Sequence, residues 1–402
     1  MKLRKLSVVL LALLLAAMAM VPMVSAMDDK NGVDQATAQH VAEIHLHTVA
    51  KSSEMYKIWA TGSIQPSTVY YNLNDQKAAY LFNVYVDGQY SGYILTSATR
   101  DNYPVLEFSR GTVPDAEKLS LSRQAALSSI DGKTQKLGSA KLLYLGGTFY
   151  VAQYPVIDAR GNTTSTKNID LSDSSVIDLV EMEKKYPVNT DEQIARDAAR
   201  VKIANQKWES LTGNAAPVAI PAAPAAAAYG SKSIPGVPLY SQPLNNYCAP
   251  TSAGMVLSYW DSHGYPSIPD NSYTLITELG TAMSTSTSTG TYIYNVDDGM
   301  NTVSSNHGYG SQLTFTEDSW VTFSDVTTEV NANKPFVLNM IGAGTAYGRS
   351  QAYGQHTVAA IGYESYSSGD YVVIQDTWTP LTAVSLAFNN WAGAVADYSR
   401  PS

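Results

Sequence analysis

The sequence predicts an α+β protein of two domains, and three observations carry that reading. Several segments repeat apolar residues at helical spacing, others alternate with period two into turn dipeptides, and an Ala/Pro tract separates the two sets. The tract, residues 215–229, lacks the periodicity needed to bury a face, so it reads as a semi-extended linker within 212–235. Residues 27–211 and 236–402 are each long enough for one domain.

In the N-terminal domain, Ala38, Val41, Ile44 and Val49 predict a helix over 34–50. Residues 80–86 alternate and reach Asp87-Gly88, a hairpin turn, with 93–95 as the returning strand. Pro114-Asp115 introduces a second helix over 116–130. Residues 141–145 and 148–154 flank Gly146-Gly147 as another hairpin. The charge-rich stretch 191–211 reads as a surface-lying helix. His40, Glu43 and His47 share a helix face, but nothing else in this domain completes a metal site, so they read as a solvated polar face. No catalytic constellation is found in this half.

Ahead of both domains, Lys2, Arg4 and Lys5 precede an apolar run from Leu6 to Met20, then Pro22 and the small-residue pattern Val24-Ser25-Ala26. This is a secretory signal peptide of residues 1–26 rather than a short membrane anchor, so the mature chain is expected to be extracytoplasmic and free of the membrane. Net charge is −9, and from residue 236 onward three basic residues (Lys334, Arg349, Arg400) face thirteen acidic ones. Such a surface repels nucleic acid and anionic membranes, and it tolerates cationic peptides.

Against that compartment the single cysteine, Cys248, stands out, because a lone thiol cannot form an internal disulfide. Ala249, Ala253, Val256 and Trp260 follow it at helical spacing, with Gly264 as a stop. Cys248 therefore begins a helix, where unpaired N–H groups and the macrodipole favour thiolate. The bland alternative is an inert core cysteine.

A thiol nucleophile needs a base and a group to orient that base. His263 ends the same helix, about four turns away, and cannot reach back. His307 lies in a glycine-bearing loop. His356 opens the strand-like run 356–363, and 371–376 forms the next strand across a turn at 365–370. Folded as a hairpin, these bring His356 to Asp376. Asp370 falls in the turn, and Asn389 or Asn390 would replace Asp376 in another register. The Ser/Thr tract 284–289 reads as a flexible loop.

The order Gln242, Cys248, His356, Asp376 resembles papain-like cysteine peptidases, and more closely the secreted relatives of the bacteriocin leader (double-glycine) peptidases. The likeness spans roughly 236–380. It implies a central Cys-bearing helix packed on an antiparallel sheet, a Cys248–His356–Asp376 triad, and Gln242, six residues before the thiol, as oxyanion donor. Trp378 takes the place of the tryptophan two residues after the orienting group. Ala249-Pro250 departs from papain, so details of its cleft do not transfer. The implied activity is peptide hydrolysis with no metal or organic cofactor and a peptide or protein substrate. A wall amidase or isopeptidase, a transpeptidase, or a peptide-binding pseudoenzyme could share the arrangement. More loosely, the N-terminal half resembles the inhibitory pro-domains of streptopain-type peptidases, which would place it against the catalytic cleft.

Overall fold

The computed structural model describes residues 31–178, 191–213, 230–342, 355–377, 383–391 and 393–402. The expected signal segment, most of the expected linker and Trp378 lie outside these residues.

The first helix, α1 (Gln35–Ser52), starts where Asp34 accepts the Thr37 N–H at 2.8 Å, satisfying a donor that has no partner within the helix. Its buried stripe includes Val41, Leu46 and Val49. His40 and Glu43 face solvent, while His45 turns inward with Nδ1 3.0 Å from Ser368 Oγ. Burial lowers the His45 pKa to about 3, so it is a neutral packing residue.

Strands β1 (Ser63–Tyr71), β2 (Lys77–Val86), β3 (Gln89–Ser97) and β4 (Val105–Ser109) follow. The β2–β3 turn has φ of 49° at Asp87 and 75° at Gly88, the left-handed pair a tight hairpin requires. Helix α2 (Pro114–Ser128) leads to β5 (Gln135–Leu137), β6 (Lys141–Tyr144), β7 (Tyr150–Asp158), β8 (Thr163–Asp170) and β9 (Val176–Ile177). Both hairpins expected in this half are present.

Helix α3 (Asp191–Thr212) is not the surface element its charge implies. Arg200, Ala204 and Trp208 are buried at i, i+4 spacing, a narrow inner stripe hidden among charged neighbours. Trp208 Nε1 donates to the Asn102 carbonyl at 2.8 Å, and the Arg200 guanidinium donates to Asn102 Oδ1 at 3.0 Å.

The C-terminal half contains β10 (Ser231–Ser233), α4 (Cys248–Asp261), α5 (Ser272–Ala282), α6 (Val296–Asn306), β11 (Leu313–Asp318), α7 (Phe323–Asn331), β12 (Phe336–Ile341), β13 (Gln355–Tyr366), β14 (Gly369–Gln375), β15 (Val384–Ala387) and β16 (Gly393–Pro401). Helices α5 to α7 have no counterpart in the sequence reading. The 284–289 tract forms a turn, with Ser286 and Gly290 exchanging backbone hydrogen bonds. Among the described residues no helix is long and apolar enough to cross a membrane.

One sheet runs through both halves, in the order β11-β16-β12-β13-β14-β15-β4-β3-β2-β1-β6-β7-β8-β9. Its pairs are antiparallel apart from the Tyr71–Leu143 contact of β1 with β6. The halves join where β4 pairs with β15, Glu107 opposite Leu386 and Ser109 opposite Val384. The α1 core accordingly includes Tyr366, Tyr371 and Ala387 from the C-terminal half.

Beside this junction Glu107 is fully buried and accepts from the hydroxyls of Tyr93 at 2.9 Å, Tyr144 at 3.1 Å and Tyr150. Burial raises its pKa to about 7, the tyrosine hydrogen bonds lower it, and the Asp376 charge raises it again. The folded state therefore holds a proton that the unfolded chain has released between the ordinary 4.5 and about 7, and stability falls as pH rises through that window. Glu107→Gln should flatten this stretch of the stability–pH curve. Urea midpoints measured from pH 4.5 to 8 check it, and an unchanged slope rejects it.

Candidate active site

Helix α4 begins at Cys248 after Asn246, whose φ of 59° turns the chain into the helix. Pro250 is tolerated because it sits in the first turn, where its missing N–H would be unpaired anyway. Ala249 through Leu257 are all buried, along with Tyr259 and Trp260, so the helix is enclosed and packs against β12 and β13. Cys248 alone at its start keeps partial exposure. One turn on, Ser252 Oγ donates to the Thr357 carbonyl at 2.9 Å and fixes the helix against β13 next to His356.

His356 is the second residue of β13 and Asp376 directly follows β14. The β13–β14 hairpin places His356 Nε2 3.0 Å from Asp376 Oδ1, with side chains only 6% and 3% exposed. The ring's other nitrogen is left for Cys248, whose thiol hydrogen-bonds to the imidazole. Burial alone would lower the His356 pKa. The charge and hydrogen bond of Asp376, followed by those of Cys248, outweigh it and hold the imidazole well above its ordinary range.

Gln242 lies in the strap that leads into α4. Its N–H donates to the Thr377 carbonyl at 2.8 Å, and its Oε1 accepts from Thr377 Oγ1 at 2.9 Å. Nε2 donates one hydrogen to the Leu244 carbonyl at 3.2 Å, and because that oxygen can only accept, this bond fixes which end of the amide is which. Thr377 escaped the sequence reading although it sits beside Asp376.

The remaining candidates separate from this group. His263 bonds to the Tyr259 carbonyl at 2.6 Å, and His307 pairs with Glu278 at 2.9 Å. Asp370 accepts from Ser365 across the β13–β14 turn. Asn390 donates to Tyr144 at 2.6 Å, an N-terminal partner rather than the imidazole. Asn389 is a turn residue with φ of 66°.

Residues of the N-terminal half border the group as well. Asp173, in the β8–β9 turn, accepts the Asn246 N–H at 3.1 Å, two residues before the thiol. Asn246 Nδ2 in turn donates to Thr287 O at 2.8 Å. At the tip of the β6–β7 hairpin, a side chain at Gly147 would come within 3.6 Å of Met340, the residue paired with His356.

Residues 234–395 match the Peptidase_C39 like family. Among solved structures, the chain is similar to one described as a C39-like peptidase from Bacillus anthracis, at 14% identity and a TM-score of 0.29, over 43% of this chain and 99% of that one. It is also similar to a prointerpain A fragment from Prevotella intermedia, at 11% identity and a TM-score of 0.39, over 84% of this chain and 98% of that one. No curated protein matches the chain.

With the carboxylate removed in Asp376→Asn, burial of the imidazole goes unopposed by that charge. Its pKa should fall by about 1–3. An NMR titration of the His356 ring measures this, and an unmoved value would show that the Asp376 charge is not what sustains it.

Proposed function

We propose, from the match of residues 234–395 to the Peptidase_C39 like family, that the chain hydrolyses peptide bonds with Cys248 as nucleophile, His356 as acid–base, Asp376 as its orienting carboxylate and Gln242 as oxyanion donor. One observation carries the assignment of residues: a buried imidazole bridges Asp376 and the thiol at the start of α4.

The chemistry follows from that bridge. His356 holds the proton of Cys248, and the thiolate attacks the carbonyl carbon. The oxyanion that forms is met by the Cys248 backbone N–H and by the second hydrogen on Gln242 Nε2. The imidazolium then protonates the leaving amine, leaving a thioester on Sγ. Water, deprotonated by His356, hydrolyses the thioester and restores the thiol. Every proton in this cycle moves among Cys248, His356, the leaving amine and water, so the proposed chemistry calls for no metal or organic cofactor.

The signal-like segment 1–26 supports action outside the cell, where a thiolate is exposed to oxidation and activity would need reducing or anoxic conditions. The hold of Asp173 on Asn246 supports two roles for the N-terminal half: an inhibitory propeptide released through the 212–235 linker, or a wall of the substrate site. Purified full-length protein with full activity and no linker cleavage would end the zymogen reading.

Alkylation of the thiol should be faster in the wild type, where His356 takes its proton, than in the variant that lacks the imidazole. In His356→Ala it should be slow and rise towards about pH 8.5, as for an ordinary thiol. Equal, slow labelling in both proteins would defeat the ion-pair mechanism. Casein and wall-peptide digests, with Cys248→Ala as the inactive control, separate a peptidase from a wall hydrolase. Thr377→Val should release the Gln242 amide and lower kcat by about tenfold or more at little change in KM, with Thr377→Ser restoring it.

A further inference from the structure

A cleft of about 460 Å³ lies between the two halves of the chain, beside the candidate catalytic group. Its walls include Asp170, Asp178 and Phe149 from the N-terminal half, and Asn246, Thr287 and Gln355 from the C-terminal half. Asn246 is two residues from Cys248 and Gln355 directly precedes His356, so the cleft borders the segments that carry the thiol and the imidazole. Among the described residues lining it none is basic.

Asp170 ends β8 at the base of the turn that grips Asn246. Asp173 is already committed: its Oδ1 accepts from the Ser175 N–H at 2.8 Å and its Oδ2 from the Asn246 N–H. Asp170 accepts from the Ser172 N–H at 2.7 Å and keeps partial exposure to the cleft. Its pKa is raised to about 7 by burial and then by the Asp173 charge, against the bonds to Ser172 and the His356 charge, which pull it down. Two neighbouring carboxylates are thus held together, and the bonds that hold them come from backbone N–H groups. A positive ligand would relieve both the burial and the mutual repulsion. Phe149 and Val176 supply apolar surface along which the stem of a long basic side chain can lie, its charged head at the carboxylate.

We propose that this cleft takes a lysine- or arginine-like side chain of the substrate close to the bond being cut, with Asp170 as its counter-charge. The proposal rests on the peptidase reading and on the N-terminal half remaining in place, which the β4–β15 ladder favours even after a cut in the linker. The N-terminal half is then a specificity-determining part of the site.

The test uses the full chain and peptides that differ only in carrying Lys, Ala or Glu at one position near the scissile bond. The wild type should cleave the best Lys peptide about tenfold faster in kcat/KM than its Ala counterpart, and the Glu peptide more slowly still. That Lys/Ala ratio should grow as pH rises through about 7, as Asp170 ionises, and shrink with added salt. The protonation of His356 enters both rates and cancels in the ratio; Asp178 is the other acid lining this wall, and Asp173 beside it is held by Ser175 and Asn246. In Asp170→Asn the ratio should approach one, and in Asp170→Lys it should invert in favour of Glu. A wild type that cleaves peptides without preferring a basic residue at any position overturns the proposal, as does a preference that survives Asp170→Asn. Should either variant not fold, the pH and salt dependence of the wild-type ratio still decides. If no peptide is cut although the thiol alkylates normally, the peptidase reading has failed. Fluorescence anisotropy of labelled Lys and Ala peptides on Cys248→Ala then tests the cleft by itself.

Discussion

Strand β13 is the constraint on which the site depends. It pairs with β14 along one edge, and along the other with β12 over Gln355–Ala360 and β10 over Gly362–Glu364. The changeover needs Gly362, since a Cβ there would lie 2.7 Å from the Lys232 carbonyl. With His356 laddered to Met340 on β12 and α4 fixed to Thr357 through Ser252, the first residues of β13 are held from two sides. His356 therefore meets a carboxylate delivered by one neighbour and a thiol delivered by another. The site inherits its geometry from an interior strand of the sheet.

The chain handles buried acids in an unusual way for its size. Only 15% of its residues are charged, but it has 27 tyrosines. Carboxylates inside the fold are met by hydroxyls and amides rather than by cations. Glu107 has three tyrosines. Glu364 has Ser53 at 2.8 Å and Ser385 at 2.7 Å, and Asp397 has Asn339 at 2.7 Å. Neutral donors supply hydrogen bonds without cancelling charge, so burial raises the pKa of all three. His356 is the exception, a buried base facing an acid, and it is raised for the opposite reason: its charged form is the one favoured.

The parts of the structure legible in the sequence are those set by short-range patterns. Turn chemistry at Asp87-Gly88 and Gly146-Gly147 located two hairpins, and the spacing of Ala249, Ala253 and Val256 located the helix behind Cys248. The hairpin that joins His356 to Asp376 was also readable, because its two strands are neighbours in sequence. What could not be read are partnerships without a local signal. Nothing near Val105 marks it for a strand that begins at Val384, and nothing near Asp173 marks it for Asn246. Helix α3 misled because three inward residues, Arg200, Ala204 and Trp208, are a small minority among its charged ones. Thr377 was passed over because its significance lies in the Gln242 amide, 135 positions earlier.

The β4–β15 ladder also sets an order of events for a growing chain. Strand β4 is synthesised early and can join β3 at once, but its outer edge must wait for residues near the C-terminus. In the interval that edge exposes unpaired backbone N–H and C=O groups beside Phe108, a template for any other extended segment. Closing so long a loop is slow by its entropy alone. The nascent chain is therefore at its most aggregation-prone before β15 arrives, and loss of Val384–Ala387 should damage solubility far more than its length implies.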